Sequence, residues 1–215
     1  MCEKKIKYPR TYHLPHSPGL MNDDRRHEDE SFFEGKTVVV TEKRDGENCS
    51  MYRDAIHARS LDTQNHPSRD WVKALHGRIK YDIPEGLRIC GENLYARHSI
   101  HYHHLPGTYF EVFSIWDRNV CLSWDETLLY VELLRLHTVP LIYEGVWARD
   151  AVHDAFNNHQ AISKDEVEGY VVRVRDSFLY KDYKWCVAKY VRAKHVQTDE
   201  FWMSKPVVPN GLEAK

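Results

Sequence analysis

The chain has 215 residues, of which 42% are hydrophobic and 29% charged, a balance that supports a packed core and excludes wholesale disorder. Thirty Lys and Arg against 32 Asp and Glu leave a formal net charge of -2, which excludes a histone-like polycation but not a local basic groove. No apolar run approaches the roughly 18 residues of a membrane span, and the opening MCEKKIKYPR lacks a signal-peptide core. Five scattered cysteines (Cys2, Cys49, Cys90, Cys121, Cys186) form no CxxC pair, so neither a disulfide framework nor a zinc knuckle is expected. The composition points to a soluble protein of the reducing cytoplasm, or of a host cytoplasm if the protein is viral; a monomer is expected, though composition does not define the oligomeric state.

In chain order, residues 1–36 read as an irregular segment broken by Pro9, Pro15, Pro18 and Gly19, with a polar run from Asn22 to Ser31. This segment is expected to drape over or cap a single globular unit spanning 37–215. TVVVTEK (37–43) reads as a buried strand, Asp45-Gly46 as a hairpin turn, and ENCSMYRD (47–54) as the return strand with Cys49 and Met51 on one face. Ser68 is expected to cap a helix whose stripe is Trp71, Leu75 and Ile79. Strands are expected at 86–94 and 108–117. Ser123 and Glu126 form an S-x-x-E capping box ahead of a helix carrying Leu129, Leu133 and Leu136. A polar helix follows over 149–160. EGYVVRVRD (168–176) alternates, with Tyr170, Val172 and Val174 on one side and Arg173 and Arg175 on the other, and CVAKYVRA (186–193) gives the last strand. Strands dominate without a βαβ rhythm, which predicts an α+β fold of antiparallel sheets flanked by helices.

The chemistry concentrates at strand ends. In TEKRDGEN (41–48), Lys43 closes a strand two residues before Asp-Gly, where its amine can project into a cleft from a fixed backbone. With a reference pKa of about 10.4, such an amine becomes a nucleophile only when its surroundings release the proton. Arg59 follows the return strand, Glu92 ends the next in GEN, and Phe113 lies in VFSIWD. Glu168 opens EGYVVR and Lys189 sits inside AKYV. A lysine, an arginine, two carboxylates, an aromatic ring and a second lysine are the inventory of a nucleotide pocket. The ring stacks a base, the cations hold phosphates, and the carboxylates take ribose hydroxyls and a divalent ion.

Over residues 37–195 this ordered series resembles the covalent nucleotidyltransferases, the superfamily of polynucleotide ligases and mRNA capping enzymes. Within it the series is most similar to the short phage-type ATP-dependent RNA ligases of the RNA ligase 2 group. The resemblance implies an ATP-grasp-like nucleotidyltransferase domain of the ligase type, with ATP and Mg²⁺ or Mn²⁺ as cofactors and RNA with 5′-phosphate and 3′-hydroxyl ends as substrate. It implies that Lys43 takes AMP from ATP, that Glu42 reads the adenine edge, and that Asn48 is the essential asparagine of these ligases. Arg59 would contact phosphate and the 3′ end, Glu92 the ribose, Phe113 the adenine face, and Lys189 the α-phosphate. Glu168, with Glu92, would hold the metal. A capping guanylyltransferase and an inert RNA-binding module with the same fold stay open as alternatives.

Two departures stand out. The family pattern carries a second lysine where this chain has Val191, with Arg192 and Lys194 as candidate substitutes. The tail after Lys189 is too short for the OB-fold of DNA ligases and capping enzymes, which suggests a stand-alone catalytic core. The histidine-rich loop RHSIHYHH (His98, His101, His103, His104) is expected near the cleft and facing RNA rather than zinc. Arg25, Arg26, Arg173, Arg175, Lys181 and Lys184 are candidate contacts to the RNA backbone.

Overall fold

The computed structural model describes residues 4–20, 24–61, 65–193 and 206–213. Twelve strands are described: β1 (Tyr12–His13), β2 (Thr37–Lys43), β3 (Glu47–Met51), β4 (Ile56–Ala58), β5 (Leu87–Asn93), β6 (Phe110–Asp117), β7 (Val120–Cys121), β8 (His137–Thr138), β9 (Leu141–Val146), β10 (Gly169–Val174), β11 (Phe178–Leu179) and β12 (Val187–Val191). Three α-helices accompany them: α1 (Asp70–Ile79), α2 (Trp124–Leu133) and α3 (Arg149–Ile162). One sheet runs in the order β1-β12-β10-β2-β9, and the second runs β11-β7-β6-β5-β3-β4 with β8 added beside β6. Pairing is antiparallel except for β1 with β12 and β8 with β6.

The period of two along the strands sorts side chains between the two faces of the first sheet. Val38, Val40, Tyr170 and Val172 pack with Phe33 and with Val152 and Phe156 of α3. The ring of Phe156 meets Tyr170 edge-on at 5.0 Å. The opposite face, with Thr41, Lys43, Val171 and Lys189, looks into a cleft between the sheets. The second sheet buries Met51, Ile89 and Ile115 against Val72 and Leu75 of α1 and Val131 of α2. From outside in, the order is therefore helix, sheet, cleft, sheet, helices.

Several sequence expectations need correction. Asp45-Gly46 is not a hairpin turn, because β2 and β3 lie in different sheets and β3 pairs with β4 and β5 instead. Residues 44–46 are the crossover between the sheets. Glycine is needed at 46 for close approach: a Cβ there would stand 2.6 Å from the Asn93 carbonyl oxygen. Ser68 does not cap α1. It lies in a preceding turn of 3-10 helix, Pro67–Arg69, where its N–H donates to the His66 side chain, and the N-cap is Arg69. The Ser123/Glu126 capping box forms, but α2 buries Trp124, Thr127 and Val131 while Leu129 and Leu133 are exposed and Leu136 is half-buried. Leucine spacing gave a helix at the right place with the wrong inner face, and α2 ends at Leu133, before Leu136. The 1–36 segment contains β1 and contributes Tyr8, Leu14 and Phe33 to the core.

Arg44 locks the crossover. It pairs with Glu42 at 2.6 Å and donates to both oxygens of Glu111 on β6, at 2.7 and 3.2 Å. Its guanidinium lies 5.1 Å from the Tyr102 ring centroid. Burial alone would disfavour its charge, but Glu111 and Glu42 outweigh that and hold the pKa above the ordinary arginine value. Replacing Arg44 by Met strands two buried carboxylates, so the Arg44→Met variant should lose about 3–5 kcal/mol of stability. The urea midpoint reads this directly, and an unchanged midpoint would show that the clamp is not structural.

Candidate active site

The cleft is a cavity of about 380 Å³ lined by Thr41, Lys43, Asn48, Arg59, Glu92, Phe113, Val171, Lys189 and, from the N-terminal segment, Tyr8–Thr11 and Asp24. Lys43 ends β2 opposite Gly169 of β10, which places it beside Glu168. Its Nζ donates to Glu168 Oε2 at 2.5 Å, and the Glu168 carboxylate is almost fully buried. Gly169 makes the approach possible: a Cβ there would lie 2.0 Å from the Tyr190 carbonyl oxygen. Burial pushes the Lys43 amine towards neutrality, but Glu168 and then Glu92 prevail, and its pKa is raised. The resting lysine is therefore an ammonium.

Glu92 lies on β5, where the Gly46 N–H donates to its Oε1 at 3.1 Å. Burial drives its carboxyl up to about 8, only partly offset by the Lys43 ammonium, with Glu168 pushing it further. Phe113 reaches the cavity through a bulge. Gly91 pairs with Val112 and Cys90 with Ser114, so Phe113 is the extra residue of β6 and turns into the cleft. It is half-buried against the core, with Tyr8 edge-on at 5.2 Å. Asn48 Oδ1 and Arg59 Nε are buried at this cavity without a hydrogen-bond partner among the described residues. Orphaned polar atoms on a cavity wall are suited to a polar ligand.

The structure thus gathers Lys43, Asn48, Arg59, Glu92, Phe113, Glu168 and Lys189 around one cleft. Glu42 differs. Strand alternation sends its carboxylate away from the Lys43 face, where it meets Arg44 at 2.6 Å and His159 of α3 at 2.7 Å. Glu42 nonetheless lines the cavity, and each carboxylate oxygen can accept a further hydrogen bond. Arg173 is a correction: it is buried, donates to the Leu122 and Val174 carbonyls, and lies over the rings of Trp124 and Phe178. Arg175 is held by Asp125 and Glu144, whereas Arg25, Arg26, Lys181 and Lys184 are exposed.

Val191 is buried, and Arg192 is tied to the Val167 carbonyl and to Glu166, so Arg192 does not take the place of a second cleft lysine. Lys194 lies outside the described residues, as do Cys2, Asn22 and Asp23. In the histidine loop, the His103 and His104 N–H groups donate to Asp165, and residues 206–213 strap the loop down. The main anchor is Asn210, which accepts from the Tyr102 N–H and donates to the Leu94 carbonyl. No group of three or more metal-ligating side chains occurs among the described residues. Sequence reading missed this strap, for want of a local pattern announcing it; the Pro- and His-rich run 13–19 with Asp24 and Arg25 suggests a segment over the site, but not the entry of Tyr8–Thr11 into the cavity wall.

For a divalent cation, Glu92 and Glu168 are hard oxygen donors beside Lys43 in the cleft. Two carboxylates suit Mg²⁺ or Mn²⁺, which keep several waters and take nucleotide phosphates as further ligands.

A nucleotide-sized cleft between two antiparallel sheets, with a lysine at a strand end facing two carboxylates, defines the nucleotidyltransferase class of fold. Comparison with known proteins agrees. The sequence profile of the RNA ligase family matches residues 36–191, and the chain belongs to that family. An Aquifex aeolicus protein assigned as an ATP-dependent DNA ligase superposes with a TM-score of 0.54 at 17% identity, over 86% of this chain and 50% of that one. An archaeal ATP-dependent RNA ligase gives a TM-score of 0.54 at 17% identity, over 86% of this chain and 48% of that one. At such identities the likeness is one of fold, and the chain spans about half the length of these structures. Comparison with curated proteins found no match. No helix among the described residues is long and apolar enough to cross a membrane.

The raised Glu92 pKa has a measurable consequence. Between its ordinary value of 4.5 and about 8, the folded chain keeps a proton that the unfolded chain has lost, so this group makes stability fall as pH rises. The Glu92→Gln variant should gain in Tm relative to wild type from about pH 5 to about pH 8, and the gap should then level off. Parallel Tm curves across that range would show that Glu92 titrates normally.

Proposed function

We propose that this chain is an ATP-dependent RNA ligase that works through a lysyl-AMP intermediate at Lys43. The observation that carries the reading is the Lys43–Glu168 pair at 2.5 Å inside a nucleotide-sized cleft, in a chain of the RNA ligase family. As a free amine, Lys43 attacks the α-phosphorus of ATP. The N–P bond forms as the bond to the bridging oxygen breaks, pyrophosphate leaves, and the amine proton passes to solvent. AMP then moves to an RNA 5′-phosphate, forming a new phosphoanhydride and freeing Lys43. A 3′-hydroxyl displaces AMP, gives up its proton, and closes the phosphodiester.

Each residue of the cleft has a part suited to its position. Phe113 offers a face to the base, Asn48 and Arg59 bring unsatisfied polar atoms, and Lys189 supplies a positive charge beside Lys43. Glu168 keeps Lys43 protonated at rest, and Glu168 and Glu92 are the groups that would hold a divalent ion. When bound, such an ion neutralises phosphate charge and competes for the carboxylates that stabilise the ammonium. The chemistry asks chiefly for positioning and charge neutralisation, and the cleft offers both.

Incubation with α-labelled ATP and Mg²⁺ or Mn²⁺, followed by a denaturing gel, should show a protein–AMP adduct. The Lys43→Ala variant should lose the adduct and all joining that begins from ATP, while retaining some sealing of RNA already adenylylated at its 5′ end. Lys43→Arg should fail equally at the first step, because a guanidinium stays protonated. An adduct that survives in folded Lys43→Ala protein would overturn the covalent mechanism at this residue.

A further inference from the structure

Lys189 is the second lysine of the cleft, and the groups that hold its side chain lie outside the segment matched by the family profile, residues 36–191. Its Nζ donates to Asp24 Oδ1 at 2.9 Å. The other oxygen, Asp24 Oδ2, stands 3.0 Å from His13 Nε2. On the far side of the imidazole, His13 Nδ1 lies 2.8 Å from Ser17 Oγ, which itself accepts the Val191 N–H at 2.9 Å. This chain of contacts begins on the backbone of β12 and returns to the same strand at the Lys189 side chain, two residues away.

The protonation states along the chain are fixed by its surroundings. His13 is fully buried, and burial, with Lys189 next in weight, drives its pKa down to about 4 against the pull of Asp24. It is neutral around pH 7. Ser17 Oγ accepts the Val191 N–H, and its hydroxyl proton has two acceptors, His13 Nδ1 at 2.8 Å and the Val191 carbonyl at 3.4 Å; donation to the nearer leaves the imidazole proton on Nε2, facing Asp24. Asp24 therefore faces one neutral ring and one ammonium.

The position of Val191 explains why such support is needed. It pairs with Gly169 in the same register that puts Lys189 opposite Val171, so it belongs to the cleft face of the sheet. There the N-terminal segment covers it: a Cβ on Gly19 would lie 2.7 Å from Val191 Cγ1 and 2.7 Å from the Arg192 carbonyl oxygen. The place of the family's second lysine is thus closed, and Lys189 stands without that neighbour. A lysine on a four-carbon stem has many rotamers to lose, and a misplacement of 1 Å can cost about 100-fold in rate.

We propose that Asp24, supported by His13 and Ser17, is a positioning residue that fixes the Lys189 ammonium towards the phosphate being transferred. This inference rests on the ligase reading above. It adds that the N-terminal segment is a working part of the site, supplying by an oriented carboxylate the order that a paired lysine would otherwise provide.

The test is single-turnover adenylylation of the full chain with α-labelled ATP and Mg²⁺, comparing wild type, Asp24→Asn, Lys189→Met and the double variant. Asp24→Asn should lower the maximal rate by about 10- to 100-fold and change the half-saturating ATP concentration by less than about 3-fold. The double variant should be no slower than Lys189→Met, since Asp24 acts only through that lysine. A wild-type rate in Asp24→Asn, or losses that multiply in the double variant, would overturn the inference. If circular dichroism shows Asp24→Asn unfolded, Ser17→Ala takes its place in the same cycle, with the same outcomes deciding. Absence of any adduct in wild type would instead bring down the ligase reading itself, and the two failures are distinct on one gel.

Discussion

The two sheets of this protein are joined across the cleft by one buried ion network, and the position of Lys43 depends on it. Arg44 follows Lys43 directly and bridges Glu42 of the first sheet to Glu111 of the second. His159 of α3 closes the network on Glu42. Charges taken out of water are tolerated only when well paired, so the network has one good geometry rather than many. That geometry fixes the crossover at 44–46. Two further contacts complete it: the Asp45 N–H donates to Tyr102 Oη, and the Ile100 N–H donates to Asp45 Oδ2. A nucleophile next to so constrained a backbone needs little reorganisation to meet its target.

Around this frame the cleft is electrostatically divided. Lys43 is pulled towards its charged form by Glu168 and Glu92, while Lys189, mainly through burial, is pulled towards its neutral form, with Asp24 as the principal counterweight. Glu92 holds its proton well beyond the usual carboxylate range. The resting state is a set of mutually satisfied charges, and an anionic ligand with a divalent ion would redistribute them. The cleft is arranged for charge that arrives with the substrate.

The N-terminal segment has an unusual double role. Tyr8, Leu14 and Phe33 belong to the main apolar core, and β1 extends the first sheet beside β12. The same segment lines the cavity from Tyr8 to Thr11 and brings Asp24 to Lys189. Core packing and site geometry are therefore coupled, because displacing the segment would open the core as well as the cleft. The 206–213 strap secures the opposite side by holding the histidine loop against the body.

Much of this was legible in the sequence. Alternation and capping chemistry are local, and they located the strand ending at Lys43, the strand beginning at Gly169 and the Ser123/Glu126 box of α2. The order of Lys43, Glu92, Glu168 and Lys189 carried the family resemblance, because chemistry demands those groups at strand ends whatever lies between. Tertiary structure alone decided which neighbours those strands have. Asp45-Gly46 is compatible with a hairpin in isolation, and only the pairing of β3 with β5 makes it a crossover. Leu129 and Leu133 would suit a core, but α2 turns Val131 inward because that face fits the second sheet. The alternation in 168–176 was correct, yet it could not say that Arg173 would meet Trp124 and Phe178 instead of water. Nor could it link Asp24 to Lys189, which are 165 positions apart. Local sequence fixes the period, the caps and the chemical types. Contacts between distant segments are set by how the two sheets close, and that depends on the packing of the whole chain.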